Sequence, residues 1–519
     1  MYLASIFNEV FGPVMVGPSS SHTAGPARIG LTLSQALPTQ PQAITIRFDR
    51  RGSFASTYIA QGSNYGFVGG LLGLSPGDEK IKGALGLAKN QGIEVNFQVG
   101  DLLGAPHPNF AQIDITTSCG FHLVAEAVST GGGAFEITSF QGNEVSIKGE
   151  AHELLFMGQV NISVLNQALK PFTDQGLGIS LNPGPNLTNL KTDALPNGLL
   201  EALTAAVGTK PTYFSPVLPV VKKIRPQVPF TTSAEALCHP LAGERAAWRL
   251  ATEYEKGLSG EGEEQIIERM IKLMRIMKNS ALKGLAGDYK TRGFLPPQSP
   301  MLAEKAFPSP QQLDLGLLNK ASLWSLGVMD YDICLGVVVA APTAGSSGVI
   351  PGAVISVGED LGRSEEEIAK ALLVGGLVGV FIAHQGTFAA EMAGCQAEVG
   401  AASAMASASV VELMGGTPQK AFKAASLALQ NTLGLICDPV CGVGNVPCVS
   451  RNASGVANAL VSANMVLAGF DPFIPFDEVA IAMKNTGLML PIELRCTGGG
   501  GLCQTKTALE TGRNLALTP

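Results

Sequence analysis

Charge is scarce in this chain. Only 15% of its 519 residues are Asp, Glu, Lys or Arg, against 46% hydrophobic residues. Such a composition buries a large core and excludes a disordered protein. It also predicts that part of the outer surface is covered, most simply by a second copy of the chain in a homo-oligomer. Basic clusters are missing as well. The net charge is −7 and no block of Lys and Arg occurs, which removes nucleic acid and anionic membrane from the expected partners. No basic region precedes an apolar run in "MYLASIFNEVFGPVM", so no signal peptide is expected. The most apolar stretch, "ALLVGGLVGVFIA" (Ala371 to Ala383), is interrupted by Gly and falls short of the roughly twenty residues of a membrane span. It reads as a buried core helix, and the expected location is the cytoplasm.

Paired CxxC knuckles of a zinc ribbon are absent too. The nine cysteines are an odd number in a long chain, which argues against a disulfide scaffold. Six of them follow residue 390: Cys395, Cys437, Cys441, Cys448, Cys496 and Cys503. This bias favours a metal or cluster site in the C-terminal part. Buried thiols that merely pack are the alternative, and Cys119 and Cys334 fit it best.

The chain is long enough for two or three domains. Residues 1–155 mix strand-like runs ("QAITIRFD", "GIEVNFQVG", "QIDITTS") with helical ones ("GLTLSQALP", "GDEKIKGALGLAKNQG") and close on a hairpin, "GGGAFEITSFQGNEVSI". They predict an α/β (α+β) domain. Residues 156–226 form a small middle region ending in a Pro-rich linker. There "QVNISVLN" and "GLGISLN" read as strands and "LPNGLLEALTAAVG" as a helix. Residues 227–519 are mostly α-helical, with three helices rich in Ala, Ser and Gly that can pack closely. "SEEEIAKALL" opens one helix with a Ser cap and an acidic first turn.

Two short loops carry chemistry. In "MVGPSSSHTAGPARIG", Ser19, Ser20, Ser21, His22 and Thr23 form a polar turn at a helix start, suited to a carboxylate, with a ring that can take or give a proton. "APTAGSSGVIPG" holds Ser346 and Ser347 in a Gly/Ser turn whose backbone amides suit an anion. Taken singly, the first loop reads as a capped helix start, with His22 a structural histidine, and the second as a plain helix-start turn.

Taken together, the segments resemble the iron–sulfur-dependent L-serine dehydratases over nearly the whole chain. The first 220 residues resemble the β subunit, through "GPSSSHTAGPARIG", "GSFASTY", "GGLLGL", "HPN" and "GGGAFEI". The rest, from about residue 228, resembles the α subunit, through "APTAGSSGVIPG", "GCQAEVG", "CDPVCGVGNVPCVSRNASG" and "LRCTGGGGL". The β-then-α order makes this a fused version. The resemblance implies a [4Fe-4S] cluster held by Cys395, Cys437 and Cys448, with one iron open as a Lewis acid, and no pyridoxal phosphate. It implies elimination of water from a small hydroxy acid. His22, Ser20 and Ser21 are then candidate catalytic residues, and Ser19, Thr23, Ser53, Ser346 and Ser347 candidate substrate contacts. His107 and His384 are further candidates for the base.

The chain also departs from the family pattern. A Tyr-Gly-Ser stretch followed by Gly-His-Gly-Thr-Asp appears here as "RGSFASTYIAQGSN", with Arg51, Gln61, Ser63 and Asn64 at the altered places. Other departures are "GLAGDYK", His384–Gln385, Asn445 and a C-terminal "NLALTP" without cysteine. Loss of the acid and the His removes partners for an ammonium, and Arg51 offers a fork for a second carboxylate. The expected substrate is therefore 2-(hydroxymethyl)glutarate, as in nicotinate degradation, with Arg51 and Asn64 as specificity contacts. L-Serine is the alternative. A third reading is a catalytically inert sensor that keeps the cluster for structure.

Overall fold

A computed structural model describes residues 3–244, 246–305 and 311–514. The last residues of "NLALTP" lie outside these. The N-terminal α+β domain and the mostly helical C-terminal part are both present, joined by a third, compact module.

The first domain is built on a six-stranded sheet. Its strand order is Glu94–Gly100, Pro41–Asp49, Phe110–Thr117, His122–Gly131, Ala134–Phe140 and Asn143–Ile147. Only the first pair is parallel, because helices cross over between Asp49 and Glu94. Helices Gly25–Ser34 and Ser63–Leu71 pack together closely enough that Gly30 and Gly70 leave no room for a Cβ. The predicted hairpin turns at Gln141–Gly142, both at positive φ.

The middle module starts at His152, a few residues before the expected boundary. Its order is strand, helix, strand, strand, helix, strand, in an antiparallel sheet of Thr212–Phe214, His152–Met157, Leu187–Thr192 and Ile179–Pro183. This is the split βαβ arrangement of ferredoxin-like folds. "GLGISLN" is a strand as expected. "QVNISVLN" is not: it opens the helix Ile162–Thr173. The Asn161 side chain accepts from the amides of Ser163 and Val164, and Leu165 and Leu169, four apart, are the buried pair.

In the C-terminal part the helix Glu365–Gln385 is long and apolar enough to cross a membrane, yet most of it is buried inside the protein. Its Ser364 cap forms a reciprocal box with Glu367. Helices Val399–Leu413, Pro418–Gln430 and Cys448–Leu467 pack against one another through their small residues.

The sequence boundary is not the spatial one. Strand Val14–Val16 pairs antiparallel with Val337–Val339. Ile6, Phe7, Val10 and Phe11 are buried in the core of the C-terminal helices. A Cβ on Gly376 would stand 2.6 Å from Ile6 Cγ2, and one on Gly379 2.2 Å from Val10 Cγ1. The glycines that interrupt the apolar run thus make the slot that receives the N-terminal segment. Ser5 Oγ donates to buried Glu255 at 2.5 Å, and the Ile6 amide donates to the other oxygen at 2.9 Å.

Two cysteines differ from expectation. Cys119 is exposed, in a turn beyond a strand end, and Cys334 is half-buried. Hydrogen bonding from Thr117, then from Thr39 and the Phe121 amide, lowers the Cys119 thiol to about 7.

Candidate active site

The turn beginning at Ser19 folds locally. Ser19 Oγ caps it by accepting the His22 amide at 3.2 Å, and Ser129 Oγ donates to the Ser21 carbonyl at 2.7 Å. Tyr65 and Thr23 fasten the turn to the neighbouring helix through the Gly17 and Gln61 carbonyls. Asp332 leaves no space for a side chain at Gly17. The turn therefore sits directly on the helix Leu317–Ile333 of the C-terminal part.

His22 is buried edge-on against Phe54. Its Nδ1 is 2.8 Å from Ser21 Oγ and 3.4 Å from Ser19 Oγ, and its Nε2 is 3.0 Å from Ser53 Oγ. Burial, and then repulsion from His107, lowers His22 to about 3, so the ring is neutral at ordinary pH. One nitrogen then accepts a proton while the other donates to a hydroxyl.

Ser19, Ser21 and His22 line one side of a pocket. Cys437, Cys448 and Cys496 line the other, with Gly345 of the second loop and the acids Asp332, Glu391 and Glu398. The expected Gly/Ser loop thus faces the Ser-His turn, and the Ala344 amide donates to Ser20 Oγ at 3.3 Å. Ser346 and Ser347 do not face the pocket. Ser346 bonds within its loop to Thr343, and Ser347 to the Met329 sulfur. Thr23 and Ser53 stand behind the lining. Ser20 is a bridge between the loops.

The expectation for Arg51 does not hold in the structure. Its side chain is 73% exposed, and its guanidinium is gripped by Asp49 outside the pocket. Asn64 is also outside the lining and accepts the amide of Tyr65. His384 lies elsewhere, taking the Ala4 amide and bonded to Tyr254. His107 is behind His22 and shapes the loop through the Asn109 amide at 3.0 Å.

Cys395 begins a helical turn, Cys437 forms an isolated β-bridge with Arg495 and Cys448 opens a long helix. Arg451 binds the two latter segments together: it donates to the Ile436 carbonyl at 2.9 Å and pairs with Asp438 at 2.8 Å. Asn452 donates to the carbonyls of Gly345 and Cys448 and accepts the Gly348 amide. All three thiols are pushed up: Cys395 to about 12 by burial, Cys448 by burial, and Cys437 by a hydrogen bond with Cys496 and then burial. Each of the three senses another cysteine or Arg451 electrostatically. Among the described residues, no three His, Cys, Asp or Glu side chains are set for a single metal ion.

Several functional residues escaped the sequence reading. Asp332, Glu391, Glu398, Arg451 and Asn452 sit at the site, and Asn109 of "HPN" donates to Glu391 at 2.5 Å. Arg451 and Asn452 follow Cys448 within one helical turn, which was the available signal. Glu398 lies within the quoted "GCQAEVG", while Asp332 and Glu391 stand in segments that carry no such motif.

A hydroxyl-rich turn with a neutral histidine faces a wall of thiols across a domain boundary. The family model described as serine dehydratase alpha chain matches residues 232–503, and that described as serine dehydratase beta chain matches residues 5–98. A probable L-serine dehydratase alpha chain of Bacillus subtilis is 38% identical over 252 residues, covering 49% of this chain and 84% of that protein. The corresponding beta chain is 41% identical over 155 residues, 30% of this chain and 68% of that protein. An L-serine dehydratase alpha chain of Peptoniphilus asaccharolyticus is 44% identical over 197 residues, 38% of this chain and 68% of that protein. The chain belongs to the iron–sulfur-dependent serine dehydratase family, with β-like and α-like parts fused in that order.

Proposed function

We propose that the protein is an iron–sulfur-dependent hydro-lyase that converts L-serine to pyruvate and ammonia. One observation carries the choice of substrate. The pocket lining contains three carboxyl side chains, Asp332, Glu391 and Glu398, and among the described residues no Lys or Arg. Burial raises all three acids, Glu398 to about 7, and an ammonium group set among them would return them to the charged form and pair with them. Buried Asp332 Oδ1 has no hydrogen-bond partner, as befits a group awaiting one. With Arg51 turned away, the argument for 2-(hydroxymethyl)glutarate loses its residue, and the names of the relatives point to L-serine.

The thiols fit the cluster that the family implies. Cys395 and Cys437 are buried and Cys448 half-buried, all three are raised as neutral thiols, and coordination relieves that burden by removing their protons. Arg451 supplies the positive charge beside the resulting thiolates. When bound, the cluster supplies a Lewis acid for the departing hydroxyl.

The other steps belong to side chains. Ser19 and the turn's amides hold the substrate carboxylate. Ser21 Oγ, backed by His22 Nδ1 at 2.8 Å, takes the proton from the carbon bearing the amino group, and His22 takes the Ser21 hydroxyl's proton and returns it to the departing substrate hydroxyl, which leaves as water. Ser53 accepts from Nε2–H and fixes the tautomer. Nine free cysteines suit a reducing, cytosolic setting, and the low charge supports a homo-oligomer.

The test is anaerobic assay of cluster-loaded protein. Pyruvate from L-serine is expected. Turnover of 2-(hydroxymethyl)glutarate but not L-serine would sink this reading. An intact cluster with turnover of neither acid would favour the sensor.

A further inference from the structure

One departure from the family pattern, "GLAGDYK", has no part in the active-site pocket. It ends the helix Glu263–Ala286, and with the residues up to Arg292 it forms one wall of a second cavity of about 660 Å³. Lys283, Lys290 and Arg292 stand on this wall, and Lys82 joins them from the N-terminal domain. Among the described residues Glu79 and Asp288 are the acids of the lining, so four cations against two acids leave a formal balance of +2. The whole chain carries −7, which makes this cavity a local exception to the field of the molecule.

The protein itself does not neutralise these cations. Among the described residues none of the four pairs with an acid. Lys283 Nζ lies over the Tyr331 ring, 5.8 Å from its centroid. Arg292 Nη2 donates to the Ala60 carbonyl at 2.9 Å, but Nη1 is buried with no hydrogen-bond partner. A buried charged donor is costly to leave unpaired, and it marks a place for a ligand's acceptor. Tyr289 and Tyr331 meet edge to face, 5.4 Å apart, and with Leu335 they give the cavity an apolar wall. Cations around such a wall suit a small organic anion better than a bare ion.

The cavity is separate from the Ser-His pocket but shares its frame. Tyr331 and Cys334 line the cavity, while Asp332 and Ile333, between them in the sequence, line the active-site pocket. Gln61, next to the Ala60 that Arg292 holds, lines that pocket too. Burial raises the Asp332 carboxyl well above its ordinary range, and the Arg292 charge works against that rise, so Arg292 is felt in both places. We propose that this cavity binds a small organic dianion, a dicarboxylate or a phosphate ester, and that its occupation promotes binding of L-serine in the neighbouring pocket. The dianion offsets the Arg292 charge, which otherwise opposes an ammonium group entering beside Asp332. The coupling rests on the L-serine reading above, whereas the binding does not.

The experiment is anaerobic titration calorimetry of the cluster-loaded protein at low salt. Succinate and glycerol 3-phosphate are the dianions, and acetate is the monoanion control. At least one dianion should bind at a single site, about ten-fold or more tighter than acetate, and the tighter of the two tells carboxylate from phosphate. Lys82 and Lys283 are both exposed, and the double variant Lys82→Glu/Lys283→Glu should bind that dianion about ten-fold or more weakly. In the wild type the bound dianion should lower KM for L-serine about five-fold, the lower end of a usual coupling between sites, with kcat little changed. No binding of either dianion, or equal binding by the double variant, overturns the site. An unchanged KM, or one raised as by a dianion in the active-site pocket, overturns the coupling. Dianion binding without any pyruvate from L-serine would instead overturn the substrate reading and leave the site standing. The comparison of dianion with acetate is made within the wild type, so it holds even if the variant folds poorly.

Discussion

His22 owes its chemistry to burial. A histidine held near 3 by desolvation stays uncharged across the working range, so it should contribute no acid limb to kcat/KM between pH 5 and 8. A limb near 6.5 that disappears in His22→Asn would contradict that assignment. Ser21→Ala and His22→Asn should each lower kcat by about 10²-fold or more, the usual range for a lost proton-transfer group. Ser53→Ala should cost less, since Ser53 only orients the ring. Pyruvate formation at saturating L-serine measures all three. Arg51→Ala is expected to leave kcat/KM within two-fold, about what loss of an exposed pair allows. A large loss would return Arg51 to the site.

At the level of elements, the helix Glu365–Gln385 and the segment from Ser5 to Phe11 act as one piece. Gly379→Ala should destabilise the protein by about 1–3 kcal/mol, the common cost of overpacking a filled core, because Val10 cannot move aside freely. Urea unfolding measures it, and an unchanged midpoint would show the slot to be looser than the structure has it. Two buried acids bring a pH term. Burial raises Glu255 and Glu412 to about 7. Between the ordinary 4.5 and 7 the folded protein keeps protons that the unfolded chain has released, so stability should fall as pH rises through this window. Glu412→Gln should flatten part of that slope in urea melts taken from pH 5 to 8. What the sequence disclosed follows the same division. The Ser-His turn, the Ser364 box and the Gln141–Gly142 hairpin were legible because their signals lie within a few residues. "QVNISVLN" misled because its alternation mimics a strand, while the deciding features are the Asn161 cap and the leucines four apart. Asp332, Glu391 and the seat of Ile6 depend on partners distant in sequence, and no local pattern announces them.

At the scale of the whole molecule, the site exists only where the parts meet. His22 and Ser21 come from one part, the thiols and acids from the other. Related proteins carry these parts as separate alpha and beta chains. Residues 1–226 and 227–519, made as two polypeptides and mixed, should therefore associate and recover L-serine turnover, while 227–519 alone should show none. Size-exclusion chromatography with a pyruvate assay checks this, and activity of 227–519 alone would remove the Ser-His turn from the chemistry. The pairing of Val14–Val16 with Val337–Val339 has one more consequence, and it concerns the ribosome. Residues Ile6 to Met15 emerge some 360 residues before the helix that receives them. At about 5–20 residues per second, that leaves an apolar tether exposed for roughly 20–70 seconds in every round of synthesis. A nascent chain in this state is a natural client for a chaperone, and closing the N-terminal seam is a late event in its birth.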